Sequence, residues 1–86
     1  MKLYLNDEVS IEKRDIVGIF DLDTATVSRD TRTFLKKSER EGNLSVTATD
    51  IPVSFLVACD KKKNLRVLMA RNAPKVLRRR AERFGM

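Results

Sequence analysis

Asp21 and Asp23 are the acidic pair whose spacing best suits a chemical role, because they lie two positions apart at the end of an apolar segment. Two such carboxylates can share a hard cation such as Mg²⁺. Aspartates at the end of a strand more often form a turn or begin a helix, and we favour that structural interpretation.

Other catalytic groups are scarce. The sequence has no histidine and one cysteine, Cys59, so it lacks Ser-His and Cys-His nucleophile pairs and cannot form a cysteine-based metal cluster. Its three glycines, Gly18, Gly42 and Gly85, stand far apart and form no phosphate-binding loop. We therefore predict a protein that is not an enzyme and that has no metal or other cofactor.

Basic residues are the more distinctive chemical groups, and they are unevenly placed. Residues 1–60 contain eight Lys or Arg against eleven Asp or Glu, whereas residues 61–86 contain ten against Glu82 alone. The net charge is −3 in the first part and +9 in the second, for a total of +6. Such asymmetry favours a surface for a polyanion, nucleic acid first and an acidic membrane second. A basic surface that serves only solubility is the alternative.

Two predicted helices carry much of this charge. From about Val27 to Glu41 the apolar period is helical, and one stripe of the helix should face a sheet. Its residues are Val27, Thr31, Phe34, Leu35 and Ser38. The opposite stripe consists of Arg29, Arg32, Lys36 and Arg40. Thr24, Thr26 and Ser28 are alternative N-caps, and Gly42 is placed to end the helix in the left-handed conformation.

A second, basic and amphipathic helix is predicted at the C-terminus, with Asn72 as N-cap and Pro74 in its first turn. Its apolar side comprises Val76, Leu77, Ala81 and Phe84, and its basic side includes Lys75, Arg78, Arg79 and Arg83. A helix of about eleven residues is marginal alone in water, so its apolar side must pack on the body or on another subunit.

The remaining apolar runs predict five to six strands. Leu3–Leu5 and Val9–Ile11 flank a turn at residues 6–8, and Asp15–Asp21 is apolar at both alternating sets of positions, which predicts the centre of the sheet. Gly18 within that run indicates a bulge or a close backbone approach. Later strands are predicted at residues 44–48, 51–59 and 65–70, with a turn at residues 49–50 and a charged hairpin loop at Asp60–Asn64.

These elements predict a single α+β domain over residues 1–86, in which a small, mostly antiparallel sheet of about five to six strands packs on one long helix. A domain of this size has a thin core, and self-association is one usual way to reinforce it. The N-terminus does not have the pattern of a signal peptide and no apolar run approaches the roughly 20 residues of a membrane span. We therefore expect a soluble, cytoplasmic protein without a membrane partner.

Three segments resemble one known family. RDIVGIFD at Arg14–Asp21, TFLKK at Thr33–Lys37 and IPVSF at Ile51–Phe55 resemble the Rem family of bacterial extracellular-matrix regulators, more closely its B-type branch than its A-type branch. The similarity covers about residues 1–80. It implies a small DNA-binding regulator of Gram-positive bacteria, whose A-type relatives form closed rings and activate genes for biofilm matrix and osmoprotection.

The resemblance also implies roles for particular residues. Arg14 matches an arginine that contacts DNA in the A-type pattern, just before the central strand. The paired arginines of the A-type loop before the next-to-last strand are not matched, because residues 49–52 read Thr-Asp-Ile-Pro here. On the distribution of charge, and not on the resemblance, Lys61–Lys63 and the arginines of the last helix are the residues that could replace that pair.

Our first hypothesis is therefore a transcriptional regulator that binds duplex DNA as a homo-oligomer, for example a ring. The candidate phosphate-contacting residues are Arg14, Arg29, Arg32, Lys61, Lys62, Lys63, Arg78, Arg79 and Arg83. The second hypothesis is an adaptor that binds no DNA and whose basic C-terminal helix docks on an acidic protein partner. Attachment of that helix to a membrane surface is a weaker third hypothesis, because its apolar side is small and lacks tryptophan.

Overall fold

Six short strands and three helices make up the parts of the chain described by the computed structural model, which are residues 2–5, 9–46 and 51–83, with side chains as far as residue 80. The strands are β1 (Lys2–Tyr4), β2 (Ser10–Glu12), β3 (Ile16–Asp21), β4 (Leu44–Val46), β5 (Ser54–Cys59) and β6 (Leu65–Ala70). The helices are α1 (Leu22–Ala25), α2 (Arg29–Arg40) and α3 (Pro74–Arg83), and a 3₁₀ turn at Lys13–Asp15 joins β2 to β3. The turns predicted at residues 6–8 and 49–50, and the side chains of residues 81, 83 and 84, lie outside the described residues.

The strands form two sheets. β1 and β2 pair as an antiparallel hairpin, and the other four strands form a sheet of order β3-β5-β6-β4. Within that sheet β4 and β6 are parallel and the other pairs are antiparallel. The predicted α+β class and the mostly antiparallel pairing are confirmed. The prediction of one sheet is wrong, because the hairpin packs on a face of the four-stranded sheet, where Leu3, Leu5 and Ile11 join its core.

Strand β3 lies at an edge of its sheet, so the prediction that it forms the centre is wrong. Apolar residues on both sides of a strand show that both faces of its sheet are covered, but they do not fix its place in the strand order. The centre consists of β5 and β6. Two apolar side chains of β3 are accordingly well exposed, Val17 at 66% and Phe20 at 41%.

The four-stranded sheet has an apolar core on each face. On one face Leu56, Leu68 and Ile19 pack with the hairpin and with Leu77 of α3. On the other face a cluster of Phe55, Val57 and Val67 packs with apolar side chains of α1 and α2. The alternation predicted for β5 is thereby confirmed, because its odd-numbered and even-numbered residues belong to different clusters. The fold is a three-layer arrangement, with α1 and α2 on one side and the hairpin and α3 on the other.

The helical segment between β3 and β4 is divided in two. Asp21 caps α1, because its Oδ1 accepts hydrogen bonds from the backbone N–H groups of Asp23 and Thr24 at 2.9 and 3.3 Å. α2 starts only after Ser28, so Val27 lies in the intervening turn and is 78% exposed, contrary to its predicted place on the buried stripe.

The end of α2 is as predicted. Gly42 has a φ of 76°. Its amide donates to the carbonyl of Glu39, and the amide of Asn43 donates to the carbonyl of Ser38. These two bonds define a Schellman motif, in which a left-handed residue satisfies the last carbonyls of a helix.

α3 begins one residue later than an Asn72 cap would place it. The carbonyl of Ala73 accepts the first helical hydrogen bond, from the amide of Leu77 at 3.2 Å. The carbonyl of Asn72 instead accepts from the hydroxyl of Ser54 at 2.6 Å, which fixes the chain between β6 and α3. None of the helices within the described residues has the length and apolar character needed to cross a bilayer.

Candidate nucleic-acid interface

Four basic side chains form a row along α2, which we call the α2 basic stripe. Its members are Arg29, Arg32, Lys36 and Arg40, and all four are exposed. At 3.6 residues per turn they lie within an arc of about 80° around the helix axis, and at 1.5 Å per residue the row is about 16 Å long. The stripe is thus a one-sided row of positive charges on the protein surface.

The opposite side of α2 holds the helix against the sheet. Phe34 and Leu35 pack on the cluster of Phe55, Val57 and Val67. Both side chains lie more than 90° around the helix from the centre of the stripe at 100° per residue. Burial of these apolar groups therefore fixes the orientation in which the stripe faces solvent.

The charges of the stripe are not neutralised by acidic side chains within the described residues, where Arg29, Lys36 and Arg40 form no ion pair. Lys37 Nζ and Glu41 Oε1, 3.9 Å apart, form an ion pair beside the stripe and not within it. Like charges one helical turn apart destabilise a helix by about 0.2–0.5 kcal/mol per pair. The arrangement therefore costs folding stability that a polyanion partner would offset.

Arg32 differs from the rest of the stripe because it also closes the turn before α2. Its Nη1 donates to the carbonyl oxygens of Thr26 and Val27, at 2.7 and 3.0 Å. A guanidinium has five N–H donors, so Nε and Nη2 still have donors for another acceptor. Arg32 can contact a phosphate, but its substitution would also disturb the turn.

The lysine loop, Lys61–Lys63, is exposed between β5 and β6 and is organised by Asp60. Asp60 Oδ1 accepts from the backbone N–H groups of Lys62 and Asn64 at 2.8 and 2.9 Å, and Oδ2 accepts from the Asn64 side chain at 3.1 Å. The hydrogen bonds from Asn64, its backbone first, hold the pKa of Asp60 below its ordinary value. Lys63 adopts a left-handed φ of 65°. The loop thus has a defined conformation that presents its lysines to solvent.

Two arginines of α3 donate hydrogen bonds within the protein. Arg78 Nη2 donates to the carbonyl oxygen of Ile19 at 2.7 Å, and Arg80 Nη1 donates to that of Tyr4 at 3.3 Å. These bonds tie α3 to β3 and to the hairpin. Arg79 is exposed. Arg83 belongs to α3, but its side chain lies outside the described residues.

The basic residues predicted to contact DNA therefore lie on two faces of the sheet. The stripe is on the face that α2 covers, and α3 is on the other. The lysine loop lies at the end of the sheet where α2 ends, because Lys63 and Lys37 line the same cleft of about 370 Å³. Arg14 is exposed in the 3₁₀ turn at that end, since Ile16 pairs with Ala58 next to the loop. Sequence reasoning missed Lys37, because nothing in the sequence shows that it lies near Lys63.

The acidic pair that could hold a cation has a structural role instead. The Asp21 carboxylate caps α1, and Asp23 supplies one of the two capping N–H groups. Within the parts of the chain that the structure describes, no group of three or more Cys, Asp or Glu is placed to hold a metal ion.

No protein-family model matches the sequence, and no curated protein is significantly similar to it. The resemblance to the Rem family stays a prediction. The arguments for function below start from the chain's own residues.

Proposed function

We propose that this protein is a small DNA-binding regulator that acts as an oligomer and contacts the phosphates of duplex DNA mainly through the α2 basic stripe. The observation that carries the proposal is the stripe itself, a row of exposed cations about 16 Å long that is held outward by the apolar side of α2. On the resemblance to the Rem family, we further propose that the protein regulates transcription in the cytoplasm of a bacterium in the manner of the extracellular-matrix regulators.

The length of the stripe suits a DNA strand. One strand carries a phosphate about every 3.4 Å along the helix axis, so a row of about 16 Å spans about five phosphates. Contacts of this kind position a protein on DNA without reading its sequence. The lysine loop, at the end of the sheet where α2 ends, extends the same basic surface, and Arg14 adds a charge at that end.

Oligomerisation would make such contacts useful. A few exposed phosphate contacts bind weakly, but a symmetric assembly repeats the stripe and raises the effective concentration of each copy near DNA. The thin core of an 86-residue chain favours the same conclusion, since self-association is one way in which small domains gain stability.

The structure supports α2 over α3 as the main DNA-contacting element. Arg78 and Arg80 already donate to backbone carbonyls within the protein, so contact with a phosphate would replace bonds that hold α3 in place. The same bonds weigh against the adaptor hypothesis, in which the basic C-terminal helix docks on an acidic protein. Leu77, on the apolar side of α3, is completely buried against the body of the protein.

The test is the salt dependence of binding to a labelled random-sequence duplex, measured by fluorescence anisotropy. One variant combines Arg29→Gln, Lys36→Gln and Arg40→Gln and keeps Arg32, which closes the turn before α2. The matched control removes three exposed cations from the other side of the molecule. It combines Arg66→Gln, Lys75→Gln and Arg79→Gln.

We expect the wild-type affinity to fall linearly with salt on logarithmic axes. Each lost phosphate contact lowers the slope by about 0.9, so the α2 variant should lose about 2.7 and the control much less. Equal effects of the two variants would show that binding follows net charge and not the stripe. Absence of binding by the wild-type protein at low salt would refute DNA binding altogether.

A further inference from the structure

The cleft of about 370 Å³ that Lys37 and Lys63 line lies between the C-terminal end of α2 and the turn that joins β5 to β6. Its volume is near the lower limit of the clefts that hold small molecules. Hydrogen bonds hold both walls in place. The Schellman motif at Gly42 closes the helix side, and the turn organised by Asp60 forms the other side. We call this region the α2–turn cleft.

Uncharged side chains supply much of its lining. Phe34 and Leu65 contribute apolar surface, and both also pack on the core behind α2. Because Phe34 remains partly exposed, a planar ring can stack on the accessible part of its side chain. The neutral polar groups are the Ser38 hydroxyl and the carboxamides of Asn43 and Asn64. A carboxamide contains both donors and an acceptor, so these two groups suit the edge of a nucleobase.

Three charged side chains complete the lining, two ammonium groups and one carboxylate, which belong to Lys37, Lys63 and Glu41. Lys37 Nζ and Glu41 Oε1 are 3.9 Å apart, which is beyond hydrogen-bond distance. Both side chains are exposed. The pair is therefore loose, and the cleft presents two cationic donors and one anionic acceptor to a ligand.

Lys63 is held in a conformation that glycine adopts more readily. Its φ of 65° lies in the left-handed region, where a Cβ atom introduces strain. The turn fixes this conformation, since the Lys63 amide donates to the carbonyl of Asp60 at 2.9 Å. Glycine or asparagine would form the same turn at a lower cost, so the turn does not explain a lysine at this position. Strained residues cluster at functional sites, and here the lysine side chain lines a cleft.

From this geometry we infer that the α2–turn cleft binds a free ribonucleoside monophosphate. The phosphate binds Lys63 and Lys37, whose two charges match a terminal phosphate that carries almost two negative charges at neutral pH. The ribose hydroxyls donate to the carboxylate of Glu41, as they do to an acidic residue in dinucleotide-binding folds. The base stacks on Phe34, and the two carboxamides bond to its edge.

The electrostatics of α2 favour this orientation of the ligand. A helix C-terminus carries partial negative charge, so it disfavours a phosphate and favours hydroxyl donors. Glu41 is the C-cap residue of α2, whereas Lys63 lies on the opposite wall. The ribose therefore belongs on the helix side and the phosphate on the turn side. A simple inorganic anion would leave the Glu41 carboxylate and the Phe34 ring without a partner.

The inference does not depend on DNA binding, because the lining of the cleft includes no residue of the α2 basic stripe. The test is accordingly a titration of the full chain without DNA, followed by ¹⁵N–¹H NMR spectroscopy. The probes are the monophosphates of adenosine, guanosine, cytidine and uridine. We expect the largest shift changes at the amides of Asn43, Lys63 and Asn64.

Fragments of the best of the four nucleotides show which groups are bound. Ribose phosphate, which lacks the base, should bind about tenfold more weakly, because stacking of a base on an aromatic ring is lost. Inorganic phosphate should bind more weakly still. The methyl ester of the nucleotide carries a single phosphate charge, as a phosphate within a strand does, and should also bind more weakly than the free nucleotide.

Variants separate the roles of the charged groups. Lys63→Gly removes the ammonium group and the left-handed strain, so it should weaken binding about two- to fivefold while Tm stays at or above the wild-type value. Lys75→Gln removes the same charge from α3, on the other face of the sheet, and should leave the affinity unchanged. The wild type should prefer the ribonucleotide to its deoxy form about two- to tenfold, and Glu41→Ala should bring this ratio close to one.

Four results would overturn the inference. The first is the absence of binding by all four nucleotides at millimolar concentration. The second is binding of inorganic phosphate as tight as that of the nucleotides, which would mean a simple anion site. The third is an equal effect of Lys63→Gly and Lys75→Gln, which would mean attraction by net charge. The fourth is tighter binding of the methyl ester than of the free nucleotide, which would identify a nucleic-acid strand as the occupant.

Discussion

Gly18 lies beneath the ring of Phe20, and its replacement by alanine tests how β3 is packed. A Cβ atom at position 18 would lie 2.6 Å from Cζ and 2.8 Å from Cε2 of Phe20, distances that real Cβ atoms essentially never show. The ring must therefore move. It is stacked on Phe55, with ring centroids 5.1 Å apart and an angle of 24° between the planes, so any movement breaks this contact.

The expected loss of stability follows from the stacking that the Phe20 ring gives up. An aromatic pair is worth about 0.5–1.5 kcal/mol beyond its buried area. Phe20 is 41% exposed, so the ring can swing toward solvent without opening the core on Phe55. We expect Gly18→Ala to lower the free energy of unfolding by about 1 kcal/mol, which corresponds to a fall in Tm of about 4–8 °C for a domain of this size.

A double-mutant cycle separates this clash from other effects. Thermal and urea unfolding, followed by circular dichroism, would be measured for Gly18→Ala, for Phe20→Ala and for the double variant. Without the ring, alanine at position 18 should be neutral or stabilising by up to about 1 kcal/mol, because glycine is unfavourable within a strand. If Gly18→Ala is equally destabilising with and without the Phe20 ring, the ring is not what excludes a side chain at position 18.

Three further predictions concern the caps and bonds described above. Gly42→Ala should lower the free energy of unfolding by about 1 kcal/mol, because Gly42 has a left-handed φ, and Gly42→Asn should lower it less. Equal stability of the wild type and both variants in urea would contradict the helix-end geometry. Arg78→Gln should lower the free energy of unfolding by about 1 kcal/mol, because the hydrogen bond to the Ile19 carbonyl is lost. Arg79→Gln should change it by less than about 0.5 kcal/mol. Equal losses for the two variants in urea unfolding would show that the Arg78 bond does not stabilise the protein. The pKa of Asp60 is lower in the folded than in the unfolded protein. Its carboxylate therefore stabilises the fold fully at pH values above the unfolded pKa, which is near 4. This contribution is lost as the pH falls through the lower pKa of the folded state. The pH dependence of Tm below about pH 5 should therefore be weaker in Asp60→Asn, and an NMR titration that gives Asp60 an ordinary or raised pKa would contradict the hydrogen-bonding scheme.

Local patterns in the sequence predict those features of the fold that local physics determines. The alternation in β5 predicts a strand buried on both faces, and Gly42 predicts the end of α2. Gly18 indicates a bulge or a close backbone approach, and the structure has the bulge, since the register with β5 shifts between Ile16 and Gly18. The group that lies close to Gly18 is the Phe20 side chain and not another backbone. Each of these features depends on the conformation of a few neighbouring residues.

The order of the strands depends on interactions between distant segments and could not be predicted in this way. The apolar character of β3 is the same for an edge strand as for a central one when helices or a hairpin cover both faces of the sheet. The parallel pairing of β4 with β6 leaves no local signal either. The spacing of Val27 predicts a place on the helical stripe, but Asp21 caps a separate short helix, which leaves Val27 in a turn.

For the candidate site, the helical period predicts the α2 basic stripe, because exposure of one side follows from burial of the other. It does not predict which arginines bond within the protein. Arg78 and Arg79 look equivalent in the sequence, yet Arg78 is the one that donates to the carbonyl of Ile19 in β3. Only the relation between α3 and β3, far apart in the chain, distinguishes the two residues.

The strand order also determines how the sheet can assemble. β5 and β6 are joined by a turn that Asp60 closes, so their pairing costs little loop entropy. β3 must close a loop that contains α1, α2 and β4 before it can pair with β5, and longer loops cost more entropy to close. The centre of the sheet should therefore form first and its two edges later. Changes in the β5–β6 turn should then alter the folding rate, whereas changes in α2 should act on the unfolding rate in stopped-flow measurements.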